Sequence, residues 1–307
     1  MKYAYIDYRP NRESRVLIDI CNQIIAEYQQ QNLTLTLRQL YYQLVARDYI
    51  PNNQKQYDRL GNIIARARDG GLVDWNAIED RTRVLRGQRT WDDIPSIIRS
   101  NRYNYVLDRW ETQKYRPFVW VEKEALSGVI QQACNAMSVQ ADYMSCRGYM
   151  SASAIHTEAK RMRAYMADGQ TPIIIHLGDF DPSGVDMTRD NIERLELYSE
   201  KSVDYDFEFI RIALNEDQIA QYNPPPNPAK MSDSRSGDFV AKYGYDSYEL
   251  DALEPSVLIQ LIRDEIDAFK DDDAWAEVET REAHEKEVLS KLYGRWAEVE
   301  QFLDEMD

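Results

Sequence analysis

Ile173-Ile174-Ile175-His176-Leu177-Gly178-Asp179-Phe180-Asp181-Pro182-Ser183-Gly184 is the stretch on which the fold turns. Its three β-branched residues in a row read as a short strand, too greasy to have a solvated face. Strands of that kind belong to parallel sheets covered by helices on both sides. Pro182-Ser183-Gly184 then turns the chain into a helix expected over 184–198. The same alternation extends outward in both directions. Upstream, 118–121 reads as a strand, 124–137 as a helix, 139–146 as a strand and 152–166 as a helix. Downstream, 206–213 is a strand, the Pro224-Pro225-Pro226 segment to Gly237 is a loop, and the chain after 248–253 is helical. Strands alternating with helices at this spacing imply a parallel α/β sheet.

The chain before Pro117 has a different period. Val16, Leu17, Ile20, Ile24 and Ile25 repeat at helical spacing, predicting an amphipathic helix over 14–31. Thr36 is a natural cap for a second helix reaching about residue 47. Asn52 and Asn53 after Pro51 make a turn, and a third helix over 54–68 stops at Gly70-Gly71. With Leu72-Val73-Asp74-Trp75 as a wing, this reads as a winged-helix (helix-turn-helix) domain. Lys55, Arg59 and Arg66 would face a DNA groove, and Leu60, Ile63, Ile64 and Ala67 would face inward. The plainer alternative is a basic helix in a structural domain. Residues 90–116 are expected to be helical and to lead into the second domain. The expected architecture is therefore α/β with an α-rich N-terminal domain: 1–116 helical and DNA-binding, 117–307 the sheet domain with an acidic helical end.

The net charge of −16 argues against a nucleic-acid partner until its distribution is considered. Residues 36–116 hold 15 lysines and arginines against 10 acidic residues, whereas 245–307 hold 6 against 20. Phosphates respond to local charge, within a Debye length of about 10 Å. The acidic end reads as a solvated helical surface, with partner binding or DNA mimicry as the alternative. Cys21, Cys134 and Cys146 are at neither zinc-ligand nor redox spacing, and His156, His176 and His284 are scattered. A reduced cytoplasmic protein without structural zinc is expected. The longest apolar runs are strand-sized, so no membrane partner or secretion is expected.

Three carboxylates, Glu122, Asp179 and Asp181, follow expected strands directly. In a parallel sheet the carboxyl ends of the strands share one edge, so these residues should converge there on exposed loops. Hard divalent cations bind such oxygens, which makes Mg2+ or Mn2+ the expected cofactor. An EF-hand loop begins similarly, but a strand precedes this one and Asp190 stands where a bidentate glutamate is needed. Haloacid-dehalogenase-type phosphatases also carry Asp-x-Asp, but after their first strand rather than the third.

On the second helix, Leu37, Leu40, Tyr41, Leu44 and Val45 form the apolar stripe, so Tyr41 packs inward. Tyr42 lies off the stripe, one turn from Arg38. A guanidinium there can hold a phosphate and favour a phenolate, which suits nucleophilic attack on a phosphodiester. An exposed tyrosine beside an arginine without chemistry is the bland reading.

Taken together, several motifs resemble one family. Arg38-Gln39-Leu40-Tyr41-Tyr42, Val121-Glu122-Lys123-Glu124-Ala125, Arg147-Gly148-Tyr149, Gly178 to Gly184 and Glu249-Leu250-Asp251-Ala252-Leu253 occur in the order found in Toprim proteins. The likeness is to the topoisomerase VI A subunit and the related meiotic double-strand-break transesterase, in a compact prokaryotic or phage form. The resemblance implies a winged-helix domain followed by a Toprim domain, with Tyr42 as nucleophile, Arg38 as charge stabiliser and Glu122 as general acid or base. Glu122, Asp179 and Asp181 would be the metal ligands. It further implies double-stranded DNA as substrate and a homodimer in which one subunit's tyrosine meets the other's metal site. Met150 replaces a proline usual in the family. No ATPase module is present, so strand passage would need a separate B-like subunit. Two alternatives stay open: a Toprim nuclease using water, like the nuclease subunit of anti-plasmid defence systems, and a non-catalytic DNA-binding or adaptor protein.

Overall fold

Successive residues of the central strands leave for opposite sides. Val119, Val121, Ile173, Ile175 and Leu177 join one buried cluster, while Phe118, Trp120 and Ile174 join another. That two-residue alternation, apolar in both directions, requires helices on both faces. The computed structural model describes residues 2–31, 33–78, 90–199, 206–228 and 235–306. Its sheet contains β1 (Tyr115–Val121), β2 (Asp142–Ser145), β3 (Thr171–Leu177) and β4 (Glu208–Ala213), ordered β2-β1-β3-β4 with every pairing parallel. The expected parallel α/β sheet is therefore present.

β1 begins at Tyr115, earlier than expected, and carries Pro117 inside it. The proline is tolerated because pairing with β2 starts only at Phe118, leaving β3 as the sole neighbour at that point. The helices follow in chain order. α1 (Arg12–Gln30), α2 (Leu37–Ala46) and α3 (Gln54–Asp69) form the N-terminal unit, followed by α4 (Ile94–Asn104). α5 (Ser127–Cys134), α6 (Ala152–Ala167) and α7 (Pro182–Ser199) lie between strands. After β4 come α8 (Glu216–Tyr222), α9 (Ser236–Tyr243), α10 (Pro255–Asp267), α11 (Asp272–Gly294) and α12 (Trp296–Asp304). α6 and α7 cover the Trp120 face, and α5 and α10 the Val119 face.

Local chemistry sets the helix ends. Thr36 caps α2 in a reciprocal capping box with Gln39, and Asn53 accepts from Gln56 N to start α3. α1, α2 and α3 pack on one another. Among the described residues the wing expected at 72–75 forms no hairpin: the neighbouring pairings are single bridges, Ala4 with Gly70 and Leu35 with Ile78. Trp75 instead lies under Arg68, whose guanidinium donates to the Trp75 and Ile78 carbonyls. Side-chain stacking and main-chain capping consume the groups that a strand would have used. Only 94–104 of the helix expected over 90–116 is helical. Arg81, Arg83, Arg86 and Arg89, part of the basic surplus, lie outside the described residues, as do 229–234 of the expected loop.

The N-terminal helices and the sheet share one continuous buried cluster, running from Leu17 and Leu40 to Val119 and Ile175. Tyr28 donates to Glu254 Oε2 at 2.6 Å, and Arg47 pairs with Glu27 at 2.7 Å, fastening α1 and α2 near the start of α10. The acidic end is not wholly solvated. Arg109, itself buried, ion-pairs with Glu279 and Glu282 of α11, so part of that negative charge is internal. No described helix is long and apolar enough to cross a membrane.

Candidate functional site

Register brings the four strand ends level. Val121 is opposite both Ser145 and Leu177, and Leu177 is opposite Ala213. Glu122 and the 178–184 turn therefore emerge at one edge, as the strand order required. Glu122 Oε2 accepts from Asp179 N at 2.9 Å, which locks the end of β1 to the turn after β3. Asp181 Oδ1 accepts from Gly184 N at 2.6 Å and from the Ser183 hydroxyl at 2.8 Å, capping the start of α7. Gly184 has no alternative here: a Cβ would stand 2.2 Å from Asp179 O.

Asp179 departs from expectation. It is buried rather than an exposed loop residue, and its Oδ1 is held by Leu250 N and Lys123 Nζ, each at 2.8 Å. Burial pushes its carboxyl up to about 8, helped by Glu122, Glu249 and Asp251 and opposed by the Lys123 ammonium. Glu122 is likewise raised by burial and by Asp181. Lys123 stays protonated: burial works against its charge, but Asp251, Asp179 and Glu249 hold it.

These facts decide how well a metal would fit. The donors are hard carboxylate oxygens, and burial raises Glu122 and Asp179 although Lys123 stands beside them. Among the described residues, however, no three side chains form a ready-made ligand set. Glu122 and Asp181 both approach Gly184 and would be the ligands, each already spending one oxygen on a main-chain N–H. Asp179 is turned inward to Lys123 and stands behind them. Two carboxylates suit Mg2+, which keeps much of its water.

α2 reaches this edge through Arg38. Arg38 Nε donates to Asp251 Oδ2 at 2.8 Å and Nη2 to Glu249 Oε2 at 3.2 Å. Lys123 pairs with both of those carboxylates from the other side. Arg38 Nη2 also reaches the Tyr42 hydroxyl at 3.4 Å, so the tyrosine stands in this network within its own chain. Tyr41 is buried as expected, its hydroxyl accepting from Asn53 N at 2.8 Å. Tyr42 is buried too, although it lies off the apolar stripe, because the 249–253 turn covers that side of α2. Burial raises its phenol above the ordinary range, as do Asp251 and Glu249. Arg38 and Lys123 pull the other way and are outweighed. The expected phenolate is therefore disfavoured in this arrangement, because the phenol is buried and Arg38 is already paired with carboxylates.

Sequence reasoning missed Arg211 and His176. Arg211 donates to the carbonyls of Gly178, Asp179, Gly184 and Leu214 and to the Thr188 hydroxyl, lacing the turn together from beneath. His176 is buried beside it, with Nδ1 3.1 Å from Thr188 Oγ1. Burial and Arg211 push its imidazole down to about 3, so it is neutral. A charged or titrating residue inside an apolar strand was the available signal for both. The candidate DNA ridge on α3 is only partly open. Lys55 is exposed, but Arg59 pairs with Glu13 at 2.7 Å and Arg66 lies over Tyr8.

No protein-family model matches the chain, and no curated protein matches it.

Proposed function

We propose that the protein is a Toprim-type, topoisomerase VI A-like transesterase that cleaves double-stranded DNA. The observation supporting this reading is the contact between α2 and the sheet edge. A tyrosine and an arginine from one unit meet three strand-end carboxylates of the other through the Lys123–Asp251–Arg38 bridge. A structural protein gains little from collecting five carboxylates and three cations where four strands end, since buried charge is costly.

In this reading Tyr42 Oη attacks phosphorus. The Oη–P bond forms as the P–O3′ bond breaks, the phenol proton leaves to solvent, and the departing 3′ oxygen takes one up. Arg38 steadies the phosphate oxygens, and Arg211 and Gly184 keep the 178–184 turn fixed. Mg2+ or Mn2+ on Glu122 and Asp181 would supply Lewis-acid stabilisation of the phosphate's charge. Two copies of the chain related by a two-fold axis would cut both strands. The three cysteines are free and buried, which suits a cytoplasmic setting.

The burial of Tyr42 favours a second reading, a hydrolytic Toprim nuclease in which water attacks and Tyr42 is only packed. Detergent quenching of a cleavage reaction separates them. Transesterification leaves DNA covalently attached to the protein, and Tyr42→Phe abolishes cutting. Protein-free ends together with full activity in Tyr42→Phe would refute the transesterase.

A further inference from the structure

We infer that Arg38 and Lys123 form an oxyanion site whose resting occupant is the Glu249 carboxylate, standing where a phosphodiester binds. Both cations contact both carboxylates of the 249–251 turn, yet the two carboxylates are not equivalent. Asp251 is fully enclosed, with a side chain 0% exposed, and spends separate oxygens on Arg38 Nε at 2.8 Å and Lys123 Nζ at 3.1 Å. The main chain beside it is pinned, with Leu250 N on Asp179 Oδ1 and Ala252 N on Glu249 O. Asp251 is thus the fixed anchor that positions the two cations. Glu249 is 26% exposed, its Oε2 alone serves both cations, and Arg38 beside it is 43% exposed. Glu249 can therefore leave toward solvent by side-chain rotation, with its backbone held.

Geometry favours the exchange and charge permits it. Arg38 Nη2 lies 3.2 Å from Glu249 Oε2 and 3.4 Å from the Tyr42 hydroxyl, so an oxygen replacing the carboxylate would sit beside the phenol. Asp179, Glu249 and Asp251 face Arg38 and Lys123, and a singly charged phosphodiester replacing Glu249 leaves that balance unchanged. The turn is therefore a latch that shields Arg38 until a phosphate displaces it. This inference rests on the DNA-cleavage reading only for which molecule carries the phosphate.

The test uses Glu249→Gln, which removes the charge but keeps shape and an acceptor, with Glu249→Ala as a second variant. Binding is measured in metal-free, low-salt buffer, with inorganic pyrophosphate in one arm and a short fluorescent DNA duplex in the other. Glu249→Gln should bind pyrophosphate about tenfold more tightly than wild type, the scale of one freed charge pair at a protein surface. The gain should vanish in an Arg38→Gln background and be missing from Glu300→Gln, which alters net charge identically on α12. Tightening for pyrophosphate without duplex binding by any variant keeps the site and removes the DNA reading. Unchanged or weaker pyrophosphate binding in both Glu249 variants overturns the site, whatever the duplex does. So does a gain that survives Arg38→Gln or is equalled by Glu300→Gln.

Discussion

Replacing Arg211 by methionine tests whether the turn at the sheet edge is held from beneath. Methionine keeps the stem's packing and removes the guanidinium. Two of the four carbonyls retain another donor, Gly178 O from Leu214 N and Gly184 O from the Thr188 hydroxyl. Asp179 O and Leu214 O have Arg211 as their only described donor, at 2.7 and 3.2 Å. Each orphaned buried carbonyl costs about 1–3 kcal/mol. Glu122, Asp179 and Asp181 would also lose a nearby positive charge, whereas release of a buried cation offsets part of the loss. A net destabilisation of about 3–5 kcal/mol follows. Urea unfolding should register it as a lower midpoint at unchanged slope. Arg211→Lys, one nitrogen in place of a fork, should recover only part. A loss below about 1 kcal/mol in Arg211→Met would refute the reasoning, since the turn would then be self-supporting.

Gly184→Ala should cost about 3 kcal/mol in the same assay, because its Cβ meets a carbonyl that Arg211 holds still; a neutral result would mean the turn yields. His176 gives a pH dependence of definite sign. Its folded pKa, near 3, lies below its ordinary 6.5, so its stabilisation is full above pH 6.5 and is lost as pH falls toward 3. From pH 7 to pH 4 this residue should account for about 3 kcal/mol of lost stability, missing from the wild-type-minus-variant difference if His176→Gln titrates identically. Asp181→Asn keeps an acceptor for Gly184 N, so it should fold normally yet lose metal-dependent DNA cleavage; cutting in excess chelator, or by the variant at full rate, would exclude the metal site.

The sequence by itself determined the alternating strands and helices of the sheet and the first three helices, though not the wing or the extent of the helix before the sheet. Apolar runs such as Ile173–Ile175 leave no solvated face, so they had to be strands covered on both sides, and the intervening 3.6-residue periods had to be the covering helices. Thr36 and Asn53 announced the starts of α2 and α3 because capping chemistry is local. The convergence of Glu122, Asp179 and Asp181 on one edge followed from strand polarity alone. What only the tertiary structure decided is which charge meets which. Asp179 faces inward because Leu250 N and Lys123, distant in sequence, claim its oxygen. Tyr42 is buried although it lies off its helix's apolar stripe, because a turn 207 residues later covers it. Arg59 is paired because α1 brings Glu13 to it. Periodicity describes one element against an unspecified interior, whereas a side chain's protonation and exposure depend on the partner the fold sets opposite it. The tyrosine and the carboxylates could be named from the sequence, but the Lys123–Asp251–Arg38 bridge joining them exists only once the chain has folded.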